Sequence, residues 1–365
     1  MATITTLVSA LMLRIGIMGM AQAGKTTFFR IVTKAHGAAL AVSRSETHMA
    51  VVSVPDARLD RLSQIFQPRK TVHAGVEYLD TPGSAIDLLR KGPQSQTLRE
   101  VQAVAQVVKS FGEDSSPATM ARDIESVELE MILSDLAVAE KRLERLEKET
   151  KKQKNPGLDL ELEALKTAKA SLDKQVPLRE LALAPEQERA LRGFTFLSQK
   201  PMLYILNLDE KDAARANAAE EYAASAVLKP RPQTLVSAVC GTVEMELAEL
   251  SEPEEFMAAY GIEESALARI IRSGYRLLGL ISFFTVGDDE CRAWTIRSGA
   301  TALEAAGEIH TDIQRGFIRA EVVSYDDLLD TGGSLAEARN RGRLRLEGKE
   351  YVVRDGEIVH FRHSG

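Results

Sequence analysis

The stretch Gly19-Met20-Ala21-Gln22-Ala23-Gly24-Lys25-Thr26-Thr27 has the Gly-x-x-x-x-Gly-Lys-Thr spacing of a phosphate-binding loop. Its flanks make the motif credible. Residues 13–18, Leu-Arg-Ile-Gly-Ile-Met, form an apolar run that reads as a buried strand, and Phe28-Phe29-Arg30-Ile31-Val32 reads as the opening of a helix. The chemistry asks for these residue types. Gly19 and Gly24 let the loop turn its backbone N–H groups, those of Gln22 and Ala23 among them, around the α- and β-phosphates, and the helix N-terminus adds partial positive charge. Lys25 is placed to reach the β- and γ-phosphates and the Thr26 hydroxyl to ligate Mg²⁺, with Thr27 on the same first turn. The loop reads as the site of a nucleoside triphosphate.

Working outward, 365 residues are long for one core and favour two or three domains. Apolar residues at 44% and charged ones at 27% are ordinary for a globular protein, and a net charge of −7 argues against a chain built wholly around a nucleic-acid surface. Two cysteines, Cys240 and Cys291, are too few for a disulfide framework and point to a reducing cytoplasm. Residues 7–20 are apolar, but Arg14 interrupts them and they run into the phosphate loop, so neither a signal peptide nor a membrane span is expected. Met12 is a candidate natural start, because the residues before it add nothing to the strand.

Up to about Phe111 the chain alternates short strand patterns with helical ones. Residues 50–54 and 74–79 are β-rich, and the second run ends in Asp80-Thr81-Pro82-Gly83. Read alone, Asp-Thr-Pro-Gly is a common turn. At this distance after a phosphate loop it reads as the element that carries Asp80 to Mg²⁺ and Gly83 to the γ-phosphate. From about 123 to 199 the composition turns to Glu, Lys, Leu and Ala. Leu129, Ile132, Leu136, Ala139, Leu143 and Leu146 repeat at helical spacing, and Leu158 to Val176 repeat it after the breaker Asn155-Pro156-Gly157. That spacing predicts an antiparallel, coiled-coil-like helical hairpin whose tip carries Lys148, Lys151, Lys152 and Lys154, either a solvated end or a phosphate-backbone contact. Strands resume at 201–206, ending in Asn207-Leu208-Asp209-Glu210, and at 234–239, ending in Cys240-Gly241. Both ends are expected beside the phosphate loop, at the carboxyl edge of a doubly wound sheet. From about 280 short β runs predict a small β-rich domain closing in a hairpin, 350–354 turning at Asp355-Gly356 into 357–361.

Together the phosphate loop, the Asp-x-x-Gly, the inserted hairpin and the Asn-x-x-Glu resemble the Obg-like ATPases of the YchF type. Arg292-Ala293-Trp294-Thr295-Ile296, Gly307-Glu308-Ile309-His310-Thr311-Asp312, Gly316-Phe317-Ile318-Arg319-Ala320 and Glu347-Gly348-Lys349-Glu350-Tyr351 resemble their TGS domain. The resemblance implies a Ras-like α/β nucleotide domain (residues 12–122 and 200–278), interrupted by the hairpin (123–199) and followed by a β-grasp TGS domain (279–365). It also implies a cytoplasmic switch that binds Mg-ATP, hydrolyses it slowly and associates with the ribosome or structured RNA. Ordinary GTPases carry a Lys after the Asn and an Asp two positions further on, whose carboxylate accepts from guanine N1–H and the N2 amino group. Here Leu208 replaces the Lys and Glu210 the Asp, and adenine lacks both donors, so Asn207, Leu208 and Glu210 point to ATP, with GTP as the alternative.

The chain departs from the family's pattern in its switches. Ser84 follows Gly83, where many GTPases have a water-orienting Gln and the family a hydrophobe. The Gly-rich loop is shortened to residues 91–96, and Gln22-Ala23 stands where the family has Asn-Val. Ungapped alignment puts Arg44 at the Mg²⁺-ligating threonine of the first switch, leaving Thr47 as the nearest threonine and the candidate ligand beside Thr26 and Asp80. Slow turnover is the expectation, and a non-hydrolysing nucleotide-dependent adaptor is the alternative from another class. Isolated histidines such as His36, His48 and His310 read as surface or hydrogen-bonded residues rather than catalysts. Arg341, Arg343, Arg345 and Lys349 are candidate RNA contacts or a solvated face.

Overall fold

The computed structural model describes residues 13–34, 47–91, 94–113, 115–152, 155–250 and 253–364. The expectations for Met12, His36, Arg44, Lys154 and the Gly92-Pro93 pair fall outside them. The chain divides into two compact units: residues 14–50 with 77–277, and residues 51–76 with 278–365.

The first sheet holds six strands in the order β2-β4-β1-β5-β6-β7: β1 (Leu13–Gly19), β2 (His48–Ser53), β4 (Gly75–Asp80), β5 (Ala103–Ser110), β6 (Met202–Leu208) and β7 (Thr234–Val239). The pairs β1·β5, β5·β6 and β6·β7 are parallel. Central parallel strands lie between two layers, which is why residues 13–19 and 202–208 are nearly continuous runs of buried residues instead of alternating ones. α1 (Lys25–Lys34) buries Phe28, Phe29, Ile31 and Val32.

The inserted hairpin forms as the spacing predicted. Pro117–Lys152 is one helix of 36 residues, about 54 Å long at 1.5 Å per residue. Asn155 ends the turn by accepting from the Gly157 N–H at 2.9 Å, and Pro156 opens the return helix Pro156–Leu172, where its missing N–H costs nothing. Ile132, Ala139, Leu143 and Leu146 pack against Ala164, Leu165, Ala168 and Leu172. At the hairpin base Asp135, fully buried, accepts from the Leu197 and Ser198 N–H groups at 2.9 and 2.7 Å and pairs with Arg99 at 3.0 Å.

In the second unit, β8 (Leu280–Thr285), β9 (Glu290–Arg297), β10 (Phe317–Val323), β11 (Arg345–Glu347) and β12 (Ile358–His363) join β3 (Lys70–Val72) in the order β11-β10-β12-β8-β9-β3. The helix Ala302–Ile309 lays Ala302, Ala305 and Ala306 on Phe283, Ile296, Phe317 and Phe361, the mixed sheet and crossing helix of a β-grasp. Thr301 and Glu304 cap that helix reciprocally.

Residues 51–76 divide between the two sheets: 51–53 and 75–76 lie in β2 and β4 of the first, whereas β3 pairs in parallel with β9 (Lys70↔Glu290 to Val72↔Arg292) as the edge strand of the second. Within the unit that holds the second sheet, α2 (Ala57–Phe66) sends Arg58 to Asp355 at 2.7 Å. One expectation is corrected: the 350–361 hairpin does not form. The leg at Val352 bridges Thr301, while β12 pairs antiparallel with β10 and parallel with β8. Asp355 and Gly356 are drawn to β8 instead: Asp355 Oδ1 accepts from the Ser282 N–H at 2.9 Å, and the Gly356 N–H donates to the Ser282 carbonyl at 2.8 Å.

Candidate nucleotide site

The carboxyl ends of β1 and β4, the start of α1 and the start of β2 converge on a cleft of about 670 Å³, within the range of small-molecule sites. The loop contributes Ala21, Gln22 and Gly24, and α1 contributes Lys25, Thr26, Thr27 and Arg30. The end of β4 and the turn after it contribute Asp80, Thr81, Pro82, Gly83 and Ser84, while His48 and Phe111 complete the lining.

Close approaches explain the loop glycines. A Cβ on Gly19 would stand 2.4 Å from the Val107 carbonyl oxygen, and one on Gly24 would stand 2.2 Å from Asn207 Nδ2. Gly24 also has φ 92°, a left-handed backbone that favours glycine. Gln22 adopts φ 61° without that advantage, so the loop carries local backbone strain at the site. Thr81, fully buried, donates to the Ile17 carbonyl at 3.0 Å and so pins the start of the Asp-Thr-Pro-Gly turn to β1. Gly83 then turns at φ 100°.

Lys25 Nζ donates to the Gly19 and Met20 carbonyls at 3.1 and 2.9 Å. Burial lowers its pKa, and the charge of Asp80 opposes that fall. Burial likewise raises the Asp80 pKa, against the pull of Lys25 and His48. The two shifts agree in cause: each charge is more desolvated than its partner compensates. Asp80 is 5% exposed, and no described residue donates a hydrogen bond to its carboxylate. A buried carboxylate with open lone pairs beside a threonine hydroxyl is the oxygen donor set a hard divalent cation takes when phosphates and waters supply the rest, so the residues present fit Mg²⁺.

The other expected residues are placed unevenly. Thr47 is not among the lining residues, whereas its neighbour His48 is; successive side chains on an extended chain face opposite ways. Asn207, Leu208, Glu210, Cys240 and Gly241 do not line the cleft. Asn207 stands behind the loop, donating from Nδ2 to the Ala23 carbonyl at 3.1 Å and accepting at Oδ1 from the Gly241 N–H at 3.2 Å. Leu208 is 4% exposed and packs with Met18, Val108 and Leu206 in the core. Glu210 is exposed at the start of the 3-10 segment Glu210–Ala218, and Cys240 is buried ahead of the helix Gly241–Leu247. His48, Arg30 and Phe111 were missed on sequence. Only the phosphate loop anchors spacing arguments, and neither β2 nor the end of β5 carries a motif.

The comparisons agree with this architecture. A family model named YchF-GTPase_C, described as a protein of unknown function, matches residues 280–364. The chain is 37% identical over 362 residues to the "Ribosome-binding ATPase YchF" of Bacillus subtilis, covering 96% of this chain and 98% of the relative. It is also 37% identical over 367 residues to the protein of the same name from Escherichia coli O157:H7, covering 95% and 98%. The solved structure titled "Structure of the Schizosaccharomyces pombe YchF GTPase" superposes with a TM-score of 0.80 at 28% identity, over 96% of this chain and 98% of that one. With its loop, hairpin and β-grasp unit in place, this chain belongs to the YchF family.

Proposed function

We propose that the protein binds Mg-ATP in the cleft around Lys25, hydrolyses it slowly to ADP and phosphate, and associates with the ribosome. The observation that carries the phosphate part is the buried Asp80 carboxylate, to which no described residue donates a hydrogen bond, coupled in charge to Lys25 at the N-terminus of a ten-residue helix. The names of the bacterial relatives support ATP and the ribosome. Thr26 and Asp80 would hold Mg²⁺, which when bound offsets charge on the β- and γ-phosphates. Lys25 and the loop N–H groups hold those phosphates in line for attack. In the step itself a water oxygen bonds to the γ-phosphorus as the bond to the β,γ-bridging oxygen breaks. The electron pair leaves on ADP, and the water proton ends on the released phosphate. Ser84, the side chain after Gly83, is too short to orient that water as a Gln would, which supports slow turnover.

A GTP reading stays open because the yeast relative is titled a GTPase. Calorimetric titration of ATP and GTP, each with and without Mg²⁺, decides between them. Lys25→Ala should abolish binding of both, and unchanged affinity would refute the site. For the ribosome, Arg341, Arg343 and Arg345 are spoken for by Glu337, by Asp327 with Asp330, and by Glu357. Lys148, Lys151 and Lys152 at the hairpin tip are exposed, with no ion pair among the described residues. They are the better phosphate-contact candidates, and salt-dependent co-sedimentation of a Lys148/Lys151/Lys152→Ala variant with ribosomes tests them.

A further inference from the structure

We infer that Arg30 contacts the γ-phosphoryl group of the bound nucleotide and brings a second positive charge to its oxygens from within the chain; this rests on the nucleotide reading of the cleft above. Arg30 belongs to α1 and lines the cleft with Lys25, Thr26 and Asp80. Four residues separate it from Thr26. At 3.6 residues per turn its side chain leaves the helix within about 40° of the Thr26 face, about 6 Å further along the axis. Helical side chains lean toward the N-terminus and cover the turn before their own. The guanidinium is therefore carried back over the turn that holds Thr26, which is the metal side of the phosphates.

The Arg30 side chain is exposed and, among the described residues, meets no carboxylate and makes no hydrogen bond. In the same unit Arg14 and Arg99 are held by Glu77 and Asp135, at 2.6 and 3.0 Å. An unpaired guanidinium on the wall of an anion site is free to take phosphoryl oxygens, and its paired N–H donors match their geometry. The γ-phosphoryl group is the part of ATP that ADP lacks, and its terminal oxygens carry charge through the hydrolytic step. Contact there favours ATP over ADP and lowers the barrier, while turnover stays slow for want of a side chain to orient the water.

The test uses the full-length protein and two variants, Arg30→Ala and Arg30→Lys. Affinities for Mg-ADP and for a non-hydrolysable ATP analogue with Mg²⁺ are measured by calorimetry, and single-turnover hydrolysis of Mg-ATP is followed alongside. Arg30→Ala should leave Mg-ADP affinity within about threefold while cutting the analogue-to-ADP affinity ratio by roughly tenfold, the worth of one hydrogen bond to a charged group, and should slow single turnover by at least as much. Arg30→Lys, which keeps the charge but not the paired donors, should recover part of that ratio. An unchanged ratio in Arg30→Ala overturns the inference. So does an equal loss for both ligands, which would put the guanidinium on the phosphates that ADP shares. If the wild-type protein binds both ligands without turning over, slow hydrolysis fails but the ratio still tests Arg30. If it binds neither, the nucleotide reading fails and this inference falls with it.

Discussion

Asn207 Nδ2 donates to the Ala23 carbonyl at 3.1 Å, tying the end of β6 to the phosphate loop, while its Oδ1 takes the Gly241 N–H at 3.2 Å. A motif residue read on sequence as a base contact thus has its amide occupied by the protein's own backbone at both ends. Asn207→Ala would leave a buried carbonyl and a buried N–H unpaired at a position 7% exposed. It should cost about 2–3 kcal/mol in urea unfolding and weaken ATP and GTP alike. Intact stability with a changed ATP-to-GTP preference would instead place the amide on the base.

The same contact makes Gly24 intolerant. An added Cβ would stand 2.2 Å from Asn207 Nδ2, and the φ of 92° is strained for any L side chain. Gly24→Ala should therefore lose nucleotide binding in calorimetry and lower stability by at least about 2 kcal/mol. Gly112→Ala is the control, because φ is likewise positive (77°) but nothing lies within 4 Å of the added methyl. It should cost about 1 kcal/mol and leave binding unchanged.

How far the sequence reached depended on whether the signal was local. The phosphate loop, the breaker at 155–157 and the apolar β6 are decided by neighbours in the chain, and they stand where the spacing put them. Within the segment from 51 to 76, α2 and β3 meet partners more than two hundred residues away: Thr71 pairs with Cys291, and Arg58 with Asp355. No periodicity within 51–76 announces them. In the site, Lys25, Thr26 and Asp80 were legible because their spacing from the loop is stereotyped. His48 was not, because choosing between it and Thr47 takes the facing of one extended residue, and a shift of one position reverses it. The Asp355-Gly356 pair carried a true turn signal that was assigned to the wrong strands. Composition shows that a chain turns but not which strand receives it.

The Arg58–Asp355 relationship can be measured directly. Arg58 also pairs with Asp56 at 2.8 Å, and its guanidinium lies 5.3 Å from the centre of the Phe284 ring. With Arg58 and Asp355 side chains 32% and 48% exposed, solvent screens the pair. A double-mutant cycle of Arg58→Ala and Asp355→Ala should give a coupling of about 0.5–1 kcal/mol that shrinks in 1 M salt. Arg58→Ala alone should cost more, about 1–2 kcal/mol, through the lost ring and Asp56 contacts. A coupling near zero at low salt would mean that β3 and the main-chain bond from Gly356 to Ser282 hold this part of the unit without the ion pair.

Lys200 supplies a pH signature. It is 9% exposed, its ammonium donates to the Arg99 carbonyl at 2.8 Å and to the Val101 carbonyl, and burial pushes its pKa down to about 8. Asp135 pulls it back up, while Arg99 adds to the fall. Between about pH 8 and the ordinary lysine value of 10.5 the unfolded chain therefore holds a proton that the folded chain has released. Stability gains from this group as pH rises through that window, and the full cost of the buried charge is present below it. Urea unfolding at pH 7.5, 8.5 and 9.5 should show wild-type stability rising relative to Lys200→Met by about 2 kcal/mol across that range. The comparison with Lys200→Met cancels tyrosines and other groups that titrate in the same range. Parallel curves for the two proteins would mean that the two carbonyls compensate the ammonium completely and that its pKa is unperturbed. A falling difference would mean that the carbonyls overcompensate it and hold the pKa above the ordinary value.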